Sequence, residues 1–224
     1  MKKTRITNKE RIIEAAITLM SERGGAVGTS QIAEYLKISP GNLYYHFRNR
    51  EEIVREALAL LRSELATTLA IPDDGQVPEE QLVSYYANGA VVLWRYRFLV
   101  ASALELIHRD AELAEGYYAF SVESIEAIQR IITQVVKQAP GAEPANAKVC
   151  ASLAENMWVL WNGWPSHAEL YRIHEKVDQA AIAHGLEQIA MTLGPYVDTD
   201  YHNKVKRSLH DFVISLSEDA VDAA

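Results

Sequence analysis

Hydrophobic side chains recur at helical spacing along almost the whole chain. The first apolar stripe comprises Ile12, Ile13, Ala16, Leu19 and Met20. Because side chains three and four residues apart share one face of a helix, this stripe predicts an amphipathic first helix. Thr7 and Glu10 have the spacing of a capping box at its start, and Gly24 is placed to end it.

Two short helices joined by a tight turn are predicted next, the first of them over residues 29–36. Ser39 is a favourable N-cap for the second, and Pro40 takes its first helical position, where a missing N–H costs nothing. Leu43 and Phe47 are four residues apart, so they define the buried face of this helix. The other side chains of the helix are therefore expected to face solvent.

The outward side of this third helix is polar and aromatic. At about 100° per residue, Gly41, Asn42 and Tyr45 point away from the core, with Tyr44 and His46 on the flanks. A short helix that only had to fold would seldom present such a surface. A helix that enters the major groove of DNA needs one like it.

Helical periodicity continues to the end of the chain. Further helices are predicted over residues 50–70, 78–94, 98–108, a long segment beginning at 110, 145–163, 175–193 and 201–217. No segment shows sustained period-two alternation, so a sheet is not expected. The predicted fold is all-α, with a three-helix helix-turn-helix head (1–50), a long linking helix that opens a larger helical body (51–217), and a disordered tail (218–224).

Charge is divided unevenly between head and body. The 224-residue chain has a net charge of −8, but residues 1–50 carry nine Lys and Arg against four Asp and Glu, which is +5. The remainder therefore carries −13. A basic head on an acidic body fits nucleic-acid binding by the head alone.

Neither a membrane span nor an internal disulfide is expected. No uninterrupted apolar run approaches the roughly 20 residues that cross a bilayer. The stretch Thr4–Arg11 is polar where a signal peptide would need an apolar segment. The single cysteine, Cys150, lies in an apolar helical pattern and is interpreted as a small core residue. We therefore expect a cytoplasmic protein.

The segment from Ser39 to Ile53, SPGNLYYHFRNREEI, resembles the DNA-binding head of the TetR family of bacterial transcriptional regulators. The resemblance covers about residues 8–60, including IAEYLKIS, whereas the body is similar only in its all-helical layout. Caps, core positions and the start of the fourth helix all match, which makes the motif specific. The resemblance implies a sequence-specific DNA-binding regulator, with repression as the family expectation.

The family places its third helix in the major groove. By resemblance, the DNA-binding residues are Thr29, Ser39, Pro40, Gly41, Asn42, Tyr44, Tyr45, His46 and Arg50. Tyr45 is expected at a base edge or thymine methyl, Asn42 at a base edge or phosphate, and Gly41 where the backbone approaches DNA closely. The other side chains are expected at phosphates.

Several of these assignments have alternatives. Tyr44 is equally consistent with a packing tyrosine. Thr29 follows Val27-Gly28, where the family commonly has a Thr-Thr or Thr-Ser pair. Arg50 stands where the family usually has lysine. The basic residues Lys2, Lys3 and Arg5 fit either a tail or an arm in the neighbouring minor groove.

The resemblance also implies a homodimer on a near-palindromic operator, and often a small effector in the body. The predicted dimer residues are Leu153, Met157, Leu160, Leu186, Ile189 and Leu193, although a monomeric core explains these stripes equally well. The predicted pocket residues are Trp94, Phe98, Leu104, His108, Tyr117, Phe120, Trp158 and Trp161, although such a stripe also fits a plain core. A largely apolar ligand is favoured, with His108 as its polar contact. The alternative is a regulator with a closed body and no small-molecule effector.

An enzyme is not expected from this sequence. It contains no HExxH, CxxC or glycine-rich phosphate loop, and no nucleophile in a recognisable elbow. His167, His174 and His184 are spaced seven and ten residues apart, not the three to five usual for helical metal ligands. We therefore expect no catalytic site, metal or cofactor.

Overall fold

The structure is a computed structural model, and it describes residues 7–171 and 179–222. Within these ranges the chain forms α1 (Asn8–Arg23), α2 (Thr29–Leu36), α3 (Pro40–His46), α4 (Arg50–Thr68), α5 (Glu79–Arg95), α6 (Arg97–Ala101), α7 (Ala103–Arg109), α8 (Ala111–Gln138), α9 (Ala147–Tyr171), α10 (Gln179–Leu193) and α11 (Thr199–Asp222). The all-α prediction is confirmed. The basic residues Lys2, Lys3 and Arg5, and His174, lie outside the described residues.

The local capping predictions at the first helix are confirmed. The Thr7 hydroxyl accepts from the Glu10 amide at 3.2 Å, while the Glu10 carboxylate accepts from the Thr7 amide at 2.6 Å. These hydrogen bonds hold the pKa of Glu10 below its usual value. Gly24 ends the helix with φ +88°, a conformation that favours glycine.

The predicted end of α9 is wrong because tertiary packing overrides local preference. Helix α9 was expected to stop near Gly163, but it continues through Pro165 to Tyr171. The Trp164 ring packs so closely on α10 that an added Cβ at Gly185 would lie 2.6 Å from it. Packing of this kind offsets the hydrogen bond that an interior proline removes.

The predicted helix over residues 98–108 is also divided. It forms α6 and α7, with Ser102 between them at φ −106° and ψ 14°. The Ser102 hydroxyl would lie 2.9 Å from a Cβ added at Gly25, so Ser102 packs directly on the loop after α1. At the other end of the chain, α11 extends to Asp222, through residues that were assigned to the tail.

The chain divides into two compact units. The head unit comprises Met1–Ser63 and Arg95–Phe120, and the body unit comprises Glu64–Trp94 and Ser121–Ala224. The segment containing α6 and α7 thus belongs to the head unit, although the sequence pattern assigned it to the body. The chain passes from one unit to the other within α4, at the end of α5 and within α8.

Long-range polar contacts join the two ends of the segment 95–110, which contains α6 and α7, to α1 and α4 of the head unit. The Ser21 hydroxyl donates to the Arg95 carbonyl at 2.9 Å, and the Arg95 guanidinium bonds both carboxylate oxygens of Glu14 at 2.6 Å. Further along, Arg55 of α4 pairs with Asp110 at 2.6 Å. These contacts explain why residues 95–120 cluster with the head.

The body unit has an apolar core between its long helices. Tyr201 of α11 donates its hydroxyl to the Val77 carbonyl at 2.9 Å, and Tyr85 of α5 donates to the Ala70 carbonyl at the same distance. Burial raises the pKa of both phenols. These bonds satisfy polar groups that the core would otherwise leave unpaired.

Candidate functional site

Helix α3 has the cap and the orientation that the sequence predicts. The Ser39 hydroxyl accepts from the Asn42 amide at 3.2 Å, and Pro40 occupies the first helical turn. Leu43 and Phe47 are almost fully buried. With these two side chains in the core of the head unit, the opposite side of α3 faces solvent.

The outward surface of α3 is dominated by two tyrosines. The Tyr45 side chain is 85% exposed, and its ring contacts His46 edge-on at 5.1 Å between centroids. Tyr44 is 53% exposed, and its hydroxyl lies 3.2 Å from the Thr29 hydroxyl at the start of α2. The structure therefore brings Thr29 and Tyr44 together, and Tyr44 is half-exposed rather than a core residue.

Arg50 is held inside the head unit by its own chain. Its Nε donates to the Val27 carbonyl at 3.0 Å, and its Nη2 donates to the Gly25 carbonyl. Both acceptors belong to the loop between α1 and α2, which leads directly to Thr29. In this structure Arg50 fixes that loop, while its predicted DNA contact stays a prediction.

Two further exposed side chains near α3 were not predicted. Tyr35 of α2 is exposed, and the side chain of Arg48, two residues after α3, is 91% exposed and approaches Glu52 at 3.9 Å. Arg48 stands out as a cation beside the outward helix. The outward phase of Tyr35 on α2 follows from the buried Ile32 and Ala33.

Gly41 has open space around it, which yields the first prediction. A Cβ added there would meet only the Ser39 hydroxyl, at 3.9 Å, and the backbone is helical. Gly41→Ala is therefore expected to leave the fold intact or raise its stability by up to about 1 kcal/mol. If DNA approaches this backbone, the same methyl group should weaken DNA binding by about tenfold.

Thermal unfolding and a DNA-binding titration on the same Gly41→Ala sample measure the two effects. Tyr118→Ala in α8 is the control, since Tyr118 is exposed in the same head unit but lies outside α3. The control should leave DNA affinity unchanged. Unchanged affinity in Gly41→Ala as well would contradict a close approach of DNA at residue 41.

The eight residues predicted to line an effector pocket are divided between the two units. Trp94, Trp158 and Trp161 belong to the body unit, and the other five belong to the head unit. Leu104 and His108 are exposed on α7, and their predicted role as pocket lining stays a prediction. Residues Phe98 and Phe120 are buried in the packed core of the head unit. An aromatic stripe at helical spacing does not distinguish a cavity from a core.

Tyr117 packs against Phe120 in the head unit. Their rings meet edge-on with centroids 5.8 Å apart. Burial raises the pKa of Tyr117 to about 12, so its phenol is neutral at physiological pH. This pair therefore contributes packing to the head unit.

The body unit contains two small apolar cavities. The larger, of about 30 Å³, is lined by Leu69, Leu82, Tyr85, Tyr86, Ile128, Ile131, Ile132, Val135, Met157, Trp161, Ile189 and Leu193. The smaller, of about 20 Å³, is lined by Ala90, Leu93, Trp94, Trp161, Trp164, Pro165, Gly185, Leu186 and Ile189. Trp94 and Trp161 are the predicted pocket residues that these two cavities include.

The predicted dimer residues are mostly buried in their own chain. Leu153, Met157, Leu186, Ile189 and Leu193 are all buried within the body unit, and Leu160 is half-buried. The burial of those five fits the alternative of a monomeric core, and their role at a dimer interface stays a prediction. The apolar side chains exposed on the same two helices are Val159, Leu170 and Met191.

Neither a metal-ligand cluster nor a membrane-spanning helix occurs in the described part of the chain. Over residues 7–171 and 179–222, no three His, Cys, Asp or Glu side chains cluster as metal ligands would. No helix in the same ranges is both long and apolar enough to span a bilayer.

Two family models match nearly the whole chain. The model described as bacterial regulatory proteins, tetR family, matches residues 12–57, and the model described as TetR, bacterial transcriptional repressor, matches residues 60–205. The first covers most of α1, all of α2 and α3, and the start of α4. The second covers the later part of α4 and the body as far as residue 205, within α11.

Individual relatives agree with the family models. The HTH-type negative transcriptional regulator IcaR of Staphylococcus epidermidis is 41% identical over 51 residues, which are 22% of this chain and 28% of IcaR. A TetR-family regulator from Marinobacter aquaeolei is 25% identical with a TM-score of 0.82, over 92% of this chain and 98% of its own. The SmeT repressor of a Stenotrophomonas maltophilia multidrug efflux pump shares the fold, with a TM-score of 0.58 and 19% identity over 87% and 93% of the two chains.

The family models, the capped helix-turn-helix and the all-helical body agree with one another. TetR-family proteins are regulators rather than enzymes, in line with the expectation from sequence. The chain belongs to the TetR family of bacterial transcriptional regulators.

Proposed function

We propose that this protein is a cytoplasmic repressor that binds a near-palindromic operator as a homodimer and is released by a small, largely apolar effector. The DNA-binding part of this proposal rests on the outward surface of α3. That surface presents the highly exposed Tyr45, and the head has a net charge of +5. A rigid short helix with exposed hydrogen-bonding and aromatic groups suits the major groove.

The side chains around α3 divide into base readers and backbone contacts. Tyr45 and Asn42 are proposed to reach base edges, because they point outward. The hydroxyls of Thr29 and Tyr44 lie 3.2 Å apart and are proposed to bind one phosphate together. Ser39 and His46 are proposed to contact the DNA backbone as well. Pro40 starts the helix that carries these groups. Arg50 is proposed to act by fixing the loop before Thr29, through its bonds to two loop carbonyls.

The dimer is proposed to form through the exposed sides of α9 and α10. Val159 and Leu170 of α9 and Met191 of α10 are large apolar side chains that remain exposed in the single chain. Covering them with the same helices of a second copy would bury this surface and give a two-fold molecule. Two heads related in that way would read half-sites of opposite orientation.

The effector is proposed to occupy the cavities of the body unit. Pockets that hold small molecules commonly enclose about 300–1,000 Å³, whereas these cavities enclose about 30 and 20 Å³. The described conformation is therefore the closed one, and a ligand would select a conformation with separated helices. A solved structure of the neighbour SmeT, 19% identical, is a complex with triclosan, which supports the view that this fold admits small molecules.

A body that never opens is the second candidate. The small size of both cavities favours it, and control would then come from a protein partner or from abundance. Thermal-shift screening of a broad compound library on protein free of bound ligand separates the candidates. Hits that also release DNA support the effector, and a complete lack of hits supports the closed body.

Selection of bound sequences from random DNA tests the proposed function. The expected result is one near-palindromic sequence whose half-sites are about one or more helical turns apart. Recovery of no common sequence would contradict sequence-specific regulation. Recovery of a single, unrepeated half-site would contradict binding as a symmetric dimer.

Salt dependence is a further expected result. Because a basic head on an acidic body must rely on phosphate contacts, operator affinity should fall by about 10²-fold or more between 50 and 200 mM salt. A fluorescence anisotropy titration at several salt concentrations measures this slope. A flat profile would contradict docking through phosphates.

A further inference from the structure

Trp161 lies at the junction of the two cavities in the body unit. Its side chain lines both of them, as does that of Ile189. The remaining lining residues named above are apolar or aromatic, and no charged side chain is among them. A molecule that extends across both cavities must therefore displace or contact Trp161 and Ile189.

The indole N–H of Trp161 is a buried donor without an acceptor. The side chain is 7% exposed, and Nε1 has no hydrogen-bond partner among the described residues. Buried donors in proteins are nearly always paired. Nε1 has almost no accessible surface in this conformation, although the Trp161 side chain lines both cavities. An acceptor atom on a bound molecule would therefore reach this donor once the ring moves.

Gly89 of α5 determines where the Trp161 ring sits. A Cβ added at Gly89 would lie 2.6 Å from Cη2 and 2.9 Å from Cζ2 of the indole. The far end of the six-membered ring therefore packs on the glycine backbone. Any side chain at residue 89 would displace the ring and change both cavities.

The tyrosines of the larger cavity offer no charge. Burial raises the pKa of the phenols of Tyr85 and Tyr86, so both are neutral at physiological pH. The Tyr85 hydroxyl is already bonded to the Ala70 carbonyl. A charged ligand would have no partner here and would lose its hydration.

We propose that the body unit binds a neutral, largely apolar molecule with one hydrogen-bond acceptor, which accepts from Trp161 Nε1–H in the joined cavities. Ketones, esters and ethers have this chemistry. The proposal rests on the proposed effector site and names its ligand class. It makes Trp161 the residue that distinguishes such a molecule from a hydrocarbon of the same shape.

Matched pairs of probes test the proposal. Benzophenone and diphenylmethane, and 9-fluorenone and fluorene, differ within each pair by the carbonyl oxygen. At least one ketone should bind the full-length protein, and its hydrocarbon partner should bind about tenfold more weakly, because only the ketone satisfies the indole donor. Equilibrium dialysis measures both affinities, and thermal unfolding provides a second readout.

Variants assign the selectivity to one ring. Trp161→Phe keeps an aromatic ring but removes the donor, so ketone and hydrocarbon should bind it equally. Trp158→Phe is the matched control, because Trp158 is buried on the same helix but lines neither cavity. The control should keep the preference for the ketone. Gly89→Ala should weaken ketone binding by about tenfold or more even if Trp161→Phe fails to fold.

Four outcomes would overturn the proposal: no ketone binds, each pair binds equally, selectivity survives in Trp161→Phe, or Gly89→Ala leaves ketone affinity unchanged. Failure of the proposed regulator function is distinguishable, since it would appear in the DNA selection and not in dialysis. If library screening finds ligands without a hydrogen-bond acceptor, the proposed effector site would still be supported. The ligand class proposed for it would be contradicted.

Discussion

Replacing Asp110 with alanine is expected to lower the free energy of unfolding by about 2–4 kcal/mol. The Asp110 side chain is 8% exposed, and its two oxygens have separate partners. Oδ1 accepts from the Leu113 amide at 3.1 Å and so caps α8, while Oδ2 accepts from Arg55 at 2.6 Å. The substitution therefore removes a helix cap and leaves a part-buried guanidinium with a weaker partner.

Glu112→Ala is the matched control for this prediction. Glu112 also approaches Arg55, at 3.4 Å, but its side chain is 75% exposed. Surface ion pairs of this kind contribute at most about 1 kcal/mol. Urea denaturation followed by circular dichroism, at one fixed protein concentration, compares the variants. Equal losses for Asp110→Ala and Glu112→Ala would show that burial and capping do not set the contribution of Asp110.

The parts of the fold that follow from neighbouring residues were predictable from the sequence. The capping box at Thr7, the Ser39 cap and the buried phase of Leu43 and Phe47 depend on residues within one turn, and the structure has all of them. The continuation of α9 through Pro165 depends instead on packing against Gly185, which lies far along the chain. A local pattern contains no information about such a contact.

The functional surfaces also divide into features that follow from neighbouring residues and features that depend on distant ones. The outward face of α3 follows from helical phase alone, since only one side of a short helix can be buried. The bonds of Arg50 to the loop after α1 do not, because the acceptors are carbonyls more than twenty residues away. In the body, an apolar stripe predicts burial but not which neighbours leave a gap. The unpaired indole of Trp161 is visible only once its surroundings are known.

Replacing Tyr45 with alanine is expected to weaken operator binding by about 1–3 kcal/mol while leaving the fold intact. The side chain is 85% exposed and contacts only the neighbouring His46 ring, so its loss should change stability by no more than about 0.5 kcal/mol. The loss of affinity would arise from a missing contact with a base edge or a thymine methyl. Competition between operator and unrelated DNA should also show reduced sequence preference.

Two further variants identify what Tyr45 contributes. Tyr45→Phe keeps the ring and removes the hydroxyl, so an affinity close to that of the wild type would indicate contact with a thymine methyl, whereas a loss like that of Tyr45→Ala would indicate a hydrogen bond. Tyr118→Ala is the matched control, because Tyr118 is 73% exposed on α8 of the same head unit but lies outside α3. Its loss should leave operator affinity unchanged. If Tyr45→Ala binds operator with wild-type affinity and preference, α3 does not read DNA through this residue, and recognition must shift to Asn42 and its neighbours.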